Sequence, residues 1–398
     1  MKIAILSDFH LGYERFREDA YIQAGEALNK AADLADMIII PGDIFDSRIP
    51  KPDVIAEAIN IFRGMSERKW NSEVTGFFGD GKNYTKIPVI AIPGTHERRA
   101  QDAVDPVGIL GLAGLVVDIS NATAIVEGGG EVVAVRGIGG IADDRFNEMV
   151  QKIGPVPVQG AFNIFMFHES LYELLPFNEN FMRYDQLPGG FDLYVNGHMH
   201  NKVEARVHGK TMLIPGSTVL TQLKPGEQEP KGFWLFDTKT YTYEFIKINS
   251  RRFVLLRIDI GSAKSGEFPE AVRKGIDDII SSGGRMPVIR VVVDGKSRKS
   301  SDIELELNDI PRRYKDLAII EVSRPVADIP DAKEAAANGP VMFERMSIRD
   351  YGLAVFLEKI ADAKVDVGCL SAAELFELLS SEANRDKAVK NALERLVG

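Results

Sequence analysis

Chemistry in this sequence concentrates in five short motifs rich in histidine and aspartate. They are Ser7-Asp8-Phe9-His10, Gly42-Asp43-Ile44-Phe45-Asp46, Gly94-Thr95-His96-Glu97, Phe167-His168-Glu169 and Gly197-His198-Met199-His200. Five of the six histidines fall in them, each at or just after the end of an apolar run, and His208 alone is assigned to a surface hairpin. Asp-x-His and His-x-His each present two metal-binding groups from one turn. A ligand set of imidazole and carboxylate without thiolate suits manganese, iron or zinc better than calcium or bare magnesium. More ligands than one ion can use point to two metals sharing a bridging carboxylate, a pair able to clamp a phosphate and lower the pKa of a bound water. Each motif alone has a plain reading: a surface turn, a hydrogen-bonded core histidine, a Gly-Asp turn. The weight lies in five in series, each after an apolar strand.

Such residues converge only if the elements behind them do. Lys2–Leu6, Met37–Ile40, Val89–Ile92, Asn163–Phe167, Leu193–Val195 and Met212–Ile214 read as short strands, each ended by Gly, Pro, Asp, Asn or His. Between the first two, Tyr21, Ala24, Leu28, Ala31 and Ala35 recur at helical steps. Apolar strands alternating with helices predict an α/β sheet covered on both faces, whose carboxyl-end loops meet on one rim. Gly42, Gly94 and Gly197 allow the sharp turns there. Ser66–Lys86, polar and weakly periodic, reads as an exposed insertion.

The alternating pattern occupies residues 1–250. Over 251–325 it gives way to a small α/β unit with strands at Phe253–Ile258, Val288–Val293 and Leu317–Val322 and a helix over Phe268–Ile280. Residues 326–345, rich in Pro and Ala, read as a linker. Residues 346–398 read as helical, with the capping box Ser371-Ala372-Ala373-Glu374 and apolar stripes through Leu375, Leu378, Leu379 and Val389, Leu393, Leu396. With 398 residues, two or three domains are expected.

Composition narrows the setting. No apolar run reaches the roughly 18–20 residues needed to cross a bilayer, so no membrane is expected. The N-terminus lacks a signal-peptide pattern, and the single cysteine, Cys369, excludes an internal disulfide framework and a thiolate zinc site. These features fit a reducing, cytoplasmic location. A net charge of −10 argues against coating nucleic acid by charge alone, although it leaves room for a nucleic-acid enzyme. The basic cluster Arg285, Arg290, Lys296, Arg298 and Lys299 reads equally as a solvated face or a DNA-facing patch.

The five motifs resemble those of the calcineurin-like metallophosphoesterase superfamily, whose fold is a two-sheet sandwich flanked by helices. The extensions Asp8-Phe9-His10-Leu11-Gly12 and Gly42-Asp43-Ile44-Phe45-Asp46 look like the Mre-eleven/SbcD branch, archaeal or bacterial type: the nuclease subunit of a double-strand-break repair complex. Ile214-Pro215-Gly216-Ser217, the small α/β unit and the helical tail agree with that branch. The resemblance implies a manganese-dependent DNA nuclease, 3′–5′ exonuclease and single-strand endonuclease, using two divalent ions. Asp8, His10 and His200 would hold one ion, His168 and His198 the other, and Asp43 would bridge. His96 would lie beside the scissile phosphate without binding metal. The family's usual Asn beside that histidine is here Thr95, a shorter and poorer ligand for the second ion, and Glu97 replaces the common Asp and is expected to orient His96.

The resemblance further implies a cap role for 251–325, a homodimer through the helices around Asp53–Met65 and Asp105–Leu115, and a grip of 346–398 on a coiled-coil ATPase of the Rad-fifty/SbcC type. Ile55, Ile59, Phe62, Ile109, Leu110 and Leu112 would supply the dimer contact, unless they pack on their own core. A self-contained hairpin is the other reading of the tail. Two functional alternatives stay open: a small-molecule or cyclic-nucleotide phosphodiesterase, and a DNA-end-binding scaffold with weakened catalysis.

Overall fold

The first strand, β1 (Lys2–Ile5), already encodes layers on both of its faces. Ile3 and Ile5 face one core cluster and Ala4, with Leu6 just beyond the strand, faces another; all four are fully buried. The same alternation recurs in β2 (Met37–Pro41), which follows helix α1 (Arg17–Leu34), and later in β4 (Val89–Ile92). Period-two alternation of apolar residues on both faces is what a strand sandwiched between two layers requires.

The computed structural model describes residues 1–79, 83–98, 103–176, 181–259, 267–294 and 307–323. The expected linker 326–345 and helical tail 346–398 lie outside these residues, as do Lys296, Arg298 and Lys299. The chain divides into two compact units. The unit formed by Tyr172–Asn180 and Pro330–Gly398 is described only at 172–176, mainly as a turn. Everything below concerns the other, Met1–Leu171 with Phe181–Ile329.

Its remaining elements run α2 (Pro52–Ser66), β3 (Ser72–Gly79), α3 (Pro106–Leu112), β5 (Val117–Asp118), β6 (Ala122–Gly128), β7 (Glu131–Ile138), α4 (Asp143–Ile153), β8 (Phe162–Phe167), β9 (Leu193–Asn196), β10 (Val203–Val207), β11 (Lys210–Ile214), β12 (Gly232–Asp237), β13 (Thr242–Lys247), β14 (Phe253–Asp259), α5 (Glu267–Ser281), β15 (Val288–Asp294) and β16 (Ile319–Ser323). A six-stranded sheet, β13-β12-β1-β2-β4-β5, faces a seven-stranded one, β10-β11-β9-β8-β7-β6-β3. Ile3, Ile39 and Ile90 of the first sheet meet Val126, Val135, Ile164 and Val195 of the second in the core between them. On the outer face of the first sheet, Ala24, Leu28 and Ala31 of α1, Ala58 and Phe62 of α2 and Leu110 of α3 close a second core. This is the α/β two-sheet sandwich with flanking helices that the resemblance implies.

Three expectations change. The segment Ser66–Lys86 is not simply an exposed insertion: Ser72–Gly79 forms β3, the edge strand of the seven-stranded sheet, paired with β6 and bulged between Val74 and Gly76. Only Ser72 and Val74 of that strand are buried, so it carries little hydrophobic periodicity. Among the six residues assigned to a dimer contact, Phe62 and Leu110 belong to the core, whereas Leu112 is exposed. Arg285 and Arg290 serve internal contacts, Arg285 pairing with buried Asp19 at 2.9 Å and Arg290 donating to the Leu223 carbonyl at 2.8 Å.

The strands β14, β15 and β16 form a separate parallel sheet under α5. It meets the sandwich through Phe253 and Val288, which pack on Phe16, Ala20, Val219, Leu220 and Leu223.

Candidate metal centre

All five motifs emerge at the carboxyl ends of β1, β2, β4, β8 and β9, the rim where open α/β sheets place their ligands. Backbone hydrogen bonds zip the first two loops together: Asp8 N to Gly42 O at 3.2 Å, His10 N to Asp43 O at 3.1 Å, Leu11 N to Ile44 O at 2.8 Å. The buried Glu97 carboxylate fastens the third loop to the second by accepting from Gly94 N (2.8 Å), Phe45 N (2.8 Å) and Asp43 N (3.1 Å). The glycines are needed for close approach. A Cβ on Gly42 would fall 2.4 Å from His168 Nδ1, and one on Gly94 would fall 2.3 Å from Asp43 Oδ1.

Three groups of side chains result, and the third, His10 with Asp46 and His96, shares His10 with the first. The ligand atoms of Asp8, His10 and His200 lie within 4.8 Å of one another, as do those of Asp43, His168 and His198. In the first group His10 Nε2 is 3.2 Å from His200 Nε2, and Asp8 Oδ1 is 3.8 Å from His10 Nε2 and 4.0 Å from His200 Nε2. In the second, His168 Nδ1 donates to the Pro41 carbonyl at 2.6 Å, which turns Nε2 toward Asp43 Oδ2 at 3.2 Å. Asp8 is fully buried, yet neither of its carboxylate oxygens has a hydrogen-bond partner. A buried carboxylate in that state is costly unless a cation neutralises it. The orphaned oxygens, facing imidazole nitrogens across a few ångströms, therefore fit a divalent ion.

The electrostatics agree. Burial pushes Asp8 up to about 6, with His168 opposing and Asp43 adding to the shift. Asp43 is also buried, but the adjacent His168 holds it well below the usual carboxylate range. Burial disfavours the charged form of His168, yet Asp43 and Asp8 outweigh this and carry it up to about 10. His10 is raised against its burial by the hydrogen bond to Asp46 and by the nearby aspartates. Burial and the charge of His10 push His200 down to about 2. The shifts of His168 and His10 toward their charged forms mark a region that calls for positive charge.

Every expected ligand except Thr95 falls in one of these groups. Thr95 Oγ1 instead stands 3.4 Å from His198 Nδ1. His96 belongs only to the third group, with His10 and Asp46. Its half-exposed side chain sits with Nδ1 3.0 Å from the Asp46 carbonyl and its ring 4.9 Å from that of His10, while its backbone N–H donates to Asp43 Oδ1 at 2.9 Å. Glu97 does not orient the His96 ring; it holds loop backbone. Asp46 lies between His10 Nδ1 (3.1 Å) and His96 Nδ1 (3.7 Å). Sequence reasoning quoted Asp46 within its motif without a role, and it missed Thr221, whose hydroxyl lies 2.5 Å from His200 Nδ1.

The calcineurin-like phosphoesterase profile matches residues 1–202. The chain is similar to the DNA double-strand break repair protein Mre11 of Methanopyrus kandleri, with 27% identity over 305 residues that cover 69% of this chain and 63% of that protein. It is also similar to the double-strand break repair protein MRE11 of Arabidopsis thaliana, with 26% identity over 383 residues, 81% of this chain and 51% of the relative. In both cases the chain spans less than two thirds of the relative's length. A solved archaeal phosphodiesterase aligns over 62% of this chain with 15% identity and a TM-score of 0.30, too low to carry an argument. With the profile covering just over half of the 398 residues, and its five motifs gathered at one rim, this chain belongs to the calcineurin-like phosphoesterase family.

Proposed function

We propose that this chain is a DNA nuclease of double-strand break repair, hydrolysing phosphodiester bonds at a two-ion centre for which manganese is the expected metal. The observation that carries the centre is the pair of orphaned Asp8 oxygens among convergent imidazoles. The DNA substrate rests on the similarity to break-repair proteins and on the motif extensions around His10 and Asp43.

In this reading Asp8, His10 and His200 would hold one ion and His168 and His198 the other, with Asp43 the carboxylate that would serve both. Bound divalent ions supply Lewis acidity toward the phosphate and acidify a bound water. His10 is aimed by Asp46 and His168 by the Pro41 carbonyl. His96 keeps its Nδ1 on the Asp46 carbonyl, so Nε2 is the atom left to stabilise the phosphate or to protonate the leaving 3′ oxygen, help worth typically 10²–10⁴-fold. Thr95 offers only a neutral hydroxyl near His198, so a second ion would be held less firmly than the first. Cleavage proceeds 3′ to 5′ on duplex ends and endonucleolytically on single strands. Residues 346–398 engage a coiled-coil ATPase, the faces of α2 and α3 mediate a homodimer, and residues 251–325 help to seat DNA.

The test is Mn²⁺-dependent degradation of linear duplex DNA by the purified chain, alongside titration calorimetry with Mn²⁺. His96→Ala is expected to lower turnover by about 10²-fold or more while Mn²⁺ binding stays intact. Nuclease activity surviving that change would remove His96 from the mechanism. Turnover of cyclic nucleotides without any DNA cleavage would replace the nuclease reading.

A further inference from the structure

The imidazoles of His10, His168 and His200 have their outward nitrogens secured in three different ways. His168 Nδ1 meets a carbonyl and His10 Nδ1 a carboxylate, both of which can only accept. His200 Nδ1 meets the Thr221 hydroxyl at 2.5 Å, and a hydroxyl can donate or accept. The direction of that bond decides which nitrogen of His200 carries its proton.

Glu227 settles the direction. Its side chain is almost wholly buried, and four donors converge on its carboxylate: Thr221 N at 3.0 Å, Gln222 N at 2.6 Å, Thr221 Oγ1 at 3.1 Å and Lys231 Nζ at 3.1 Å. The single Thr221 proton goes to Glu227 Oε1, so the hydroxyl oxygen must accept from His200 Nδ1–H. Nε2 is then left with its lone pair, directed at His10 Nε2 at 3.2 Å. His10, with Nδ1 held on Asp46, turns its own Nε2 to the same gap. Lys231, also buried, braces the same residue's backbone by donating to the His200 carbonyl at 3.2 Å and to Ser217 Oγ at 2.9 Å.

We infer that Thr221, Glu227 and Lys231 are positioning residues that lock His200 in the Nδ1–H tautomer, with Nε2 free to bind a metal ion. The inference rests on the reading of His200 as a ligand in the proposed centre. An outer partner of a ligating histidine sets its ring angle and tautomer, and removing it typically lowers metal affinity or activity 10–100-fold.

The experiment uses the full chain, metal-free, with ¹⁵N-labelled histidine, and reads tautomers from two-bond ¹H–¹⁵N correlations. The His200 resonance is assigned by its loss in His200→Asn. Wild type is expected to show Nδ1–H at His200. Glu227→Gln, which can donate to the hydroxyl and reverse it, is expected to shift His200 toward Nε2–H, and Thr221→Val to leave a tautomer mixture. Mn²⁺ affinity by calorimetry should fall about 10–100-fold in both, whereas Thr221→Ser restores the wild-type tautomer and affinity. Circular dichroism identifies any variant that fails to fold, in which case Thr221→Val and Thr221→Ser alone decide. An Nε2–H tautomer in wild type, or unchanged tautomer and affinity in the folded variants, overturns the inference. If wild type binds no Mn²⁺ but Glu227→Gln still switches the tautomer, the metal reading fails while the relay stands.

Discussion

Asp8, His10, Asp43 and His198 hold φ angles of 53°, 48°, 51° and 69°. This left-handed region costs roughly 1–2 kcal/mol per non-glycine residue, and glycine would relieve it. His208 and Tyr241 share that region in hairpin turns, but only at this rim do four such side chains cluster, as strained residues do at functional sites. Where no side chain is needed, the rim uses glycine to its limit: a Cβ on Gly197 would lie 2.1 Å from the Pro41 carbonyl oxygen and 2.5 Å from His168 Nδ1. Gly197→Ala is therefore expected to destabilise the fold by about 1–3 kcal/mol, as overpacking does, and to weaken Mn²⁺ binding. Urea unfolding in EDTA and calorimetry would measure the two effects, and a variant matching wild type in both would contradict the packing. Asp46→Ala removes the acceptor on His10 Nδ1, so a 10–100-fold loss of Mn²⁺ affinity is expected; unchanged affinity would show that Asp46 does not aim that ring. The candidate ligands are readable in the sequence because histidine is rare there and keeps appearing where apolar strands end. Asp46, Thr221 and Glu227 are not. Their roles depend on which donor meets which acceptor across as many as 36 positions, and their residue types are ordinary in surface loops.

Six of the strands buried on both faces announce themselves in sequence, whereas β12, also buried on both faces, does not. β1, β2, β4, β8, β9 and the core of β11 were anticipated nearly to the residue, because a wholly apolar run before a polar turn has few other readings. Strands with one wet face, such as β3, β10 and β13, were missed, since tertiary pairing rather than composition makes them strands. The short edge strand β5 shows how such an element is held. Its Asp118 accepts from Ser120 N and Oγ at 3.0 and 2.5 Å. Burial, with nearby Asp105, raises this carboxyl to about 6 against the Ser120 hydrogen bonds. A raised acid binds its proton more tightly when folded, so stability falls as pH rises from 3.8 through about 6. The full shift corresponds to about 3 kcal/mol, and partial solvent exposure reduces this to about 1–2 kcal/mol. Asp118→Asn keeps the acceptor oxygen and removes the charge. It is expected to stabilise the metal-free chain by that amount at pH 7.5 and to have almost no effect at pH 3.5. Equal unfolding midpoints for variant and wild type at pH 7.5 would refute the assignment.

At the scale of the molecule, the three-stranded sheet is joined to the sandwich by a buried carboxylate as well as by apolar contact. Asp19 of α1, only 3% exposed, pairs with Arg251 through its Nε and Nη2 and with Arg285 at 2.9 Å, and Arg251 also donates to the Met286 carbonyl at 2.7 Å. Arg15 reaches across the same join to Glu321 at 2.7 Å, but that pair is exposed and adds little. In a chain of net charge −10, these arginines are committed to internal contacts rather than offered to nucleic acid. Removing one partner of a buried pair leaves the others uncompensated and costs about 3–5 kcal/mol. Asp19→Ala should therefore loosen the join first, since two guanidinium groups lose their buried carboxylate at once. Limited proteolysis is expected to cut within residues 249–252 well before the sandwich unfolds in urea. The effect should also reach the metal centre, because Phe253 and Val288 pack on Leu220 and Leu223, which flank the Thr221 that holds His200. A drop in Mn²⁺ affinity that tracks the new cleavage would tie the second sheet to the ligand geometry. Cleavage at 249–252 with wild-type Mn²⁺ affinity would show that the Thr221 loop keeps its shape without the second sheet, and an unchanged digestion pattern would show that apolar contact alone secures the join.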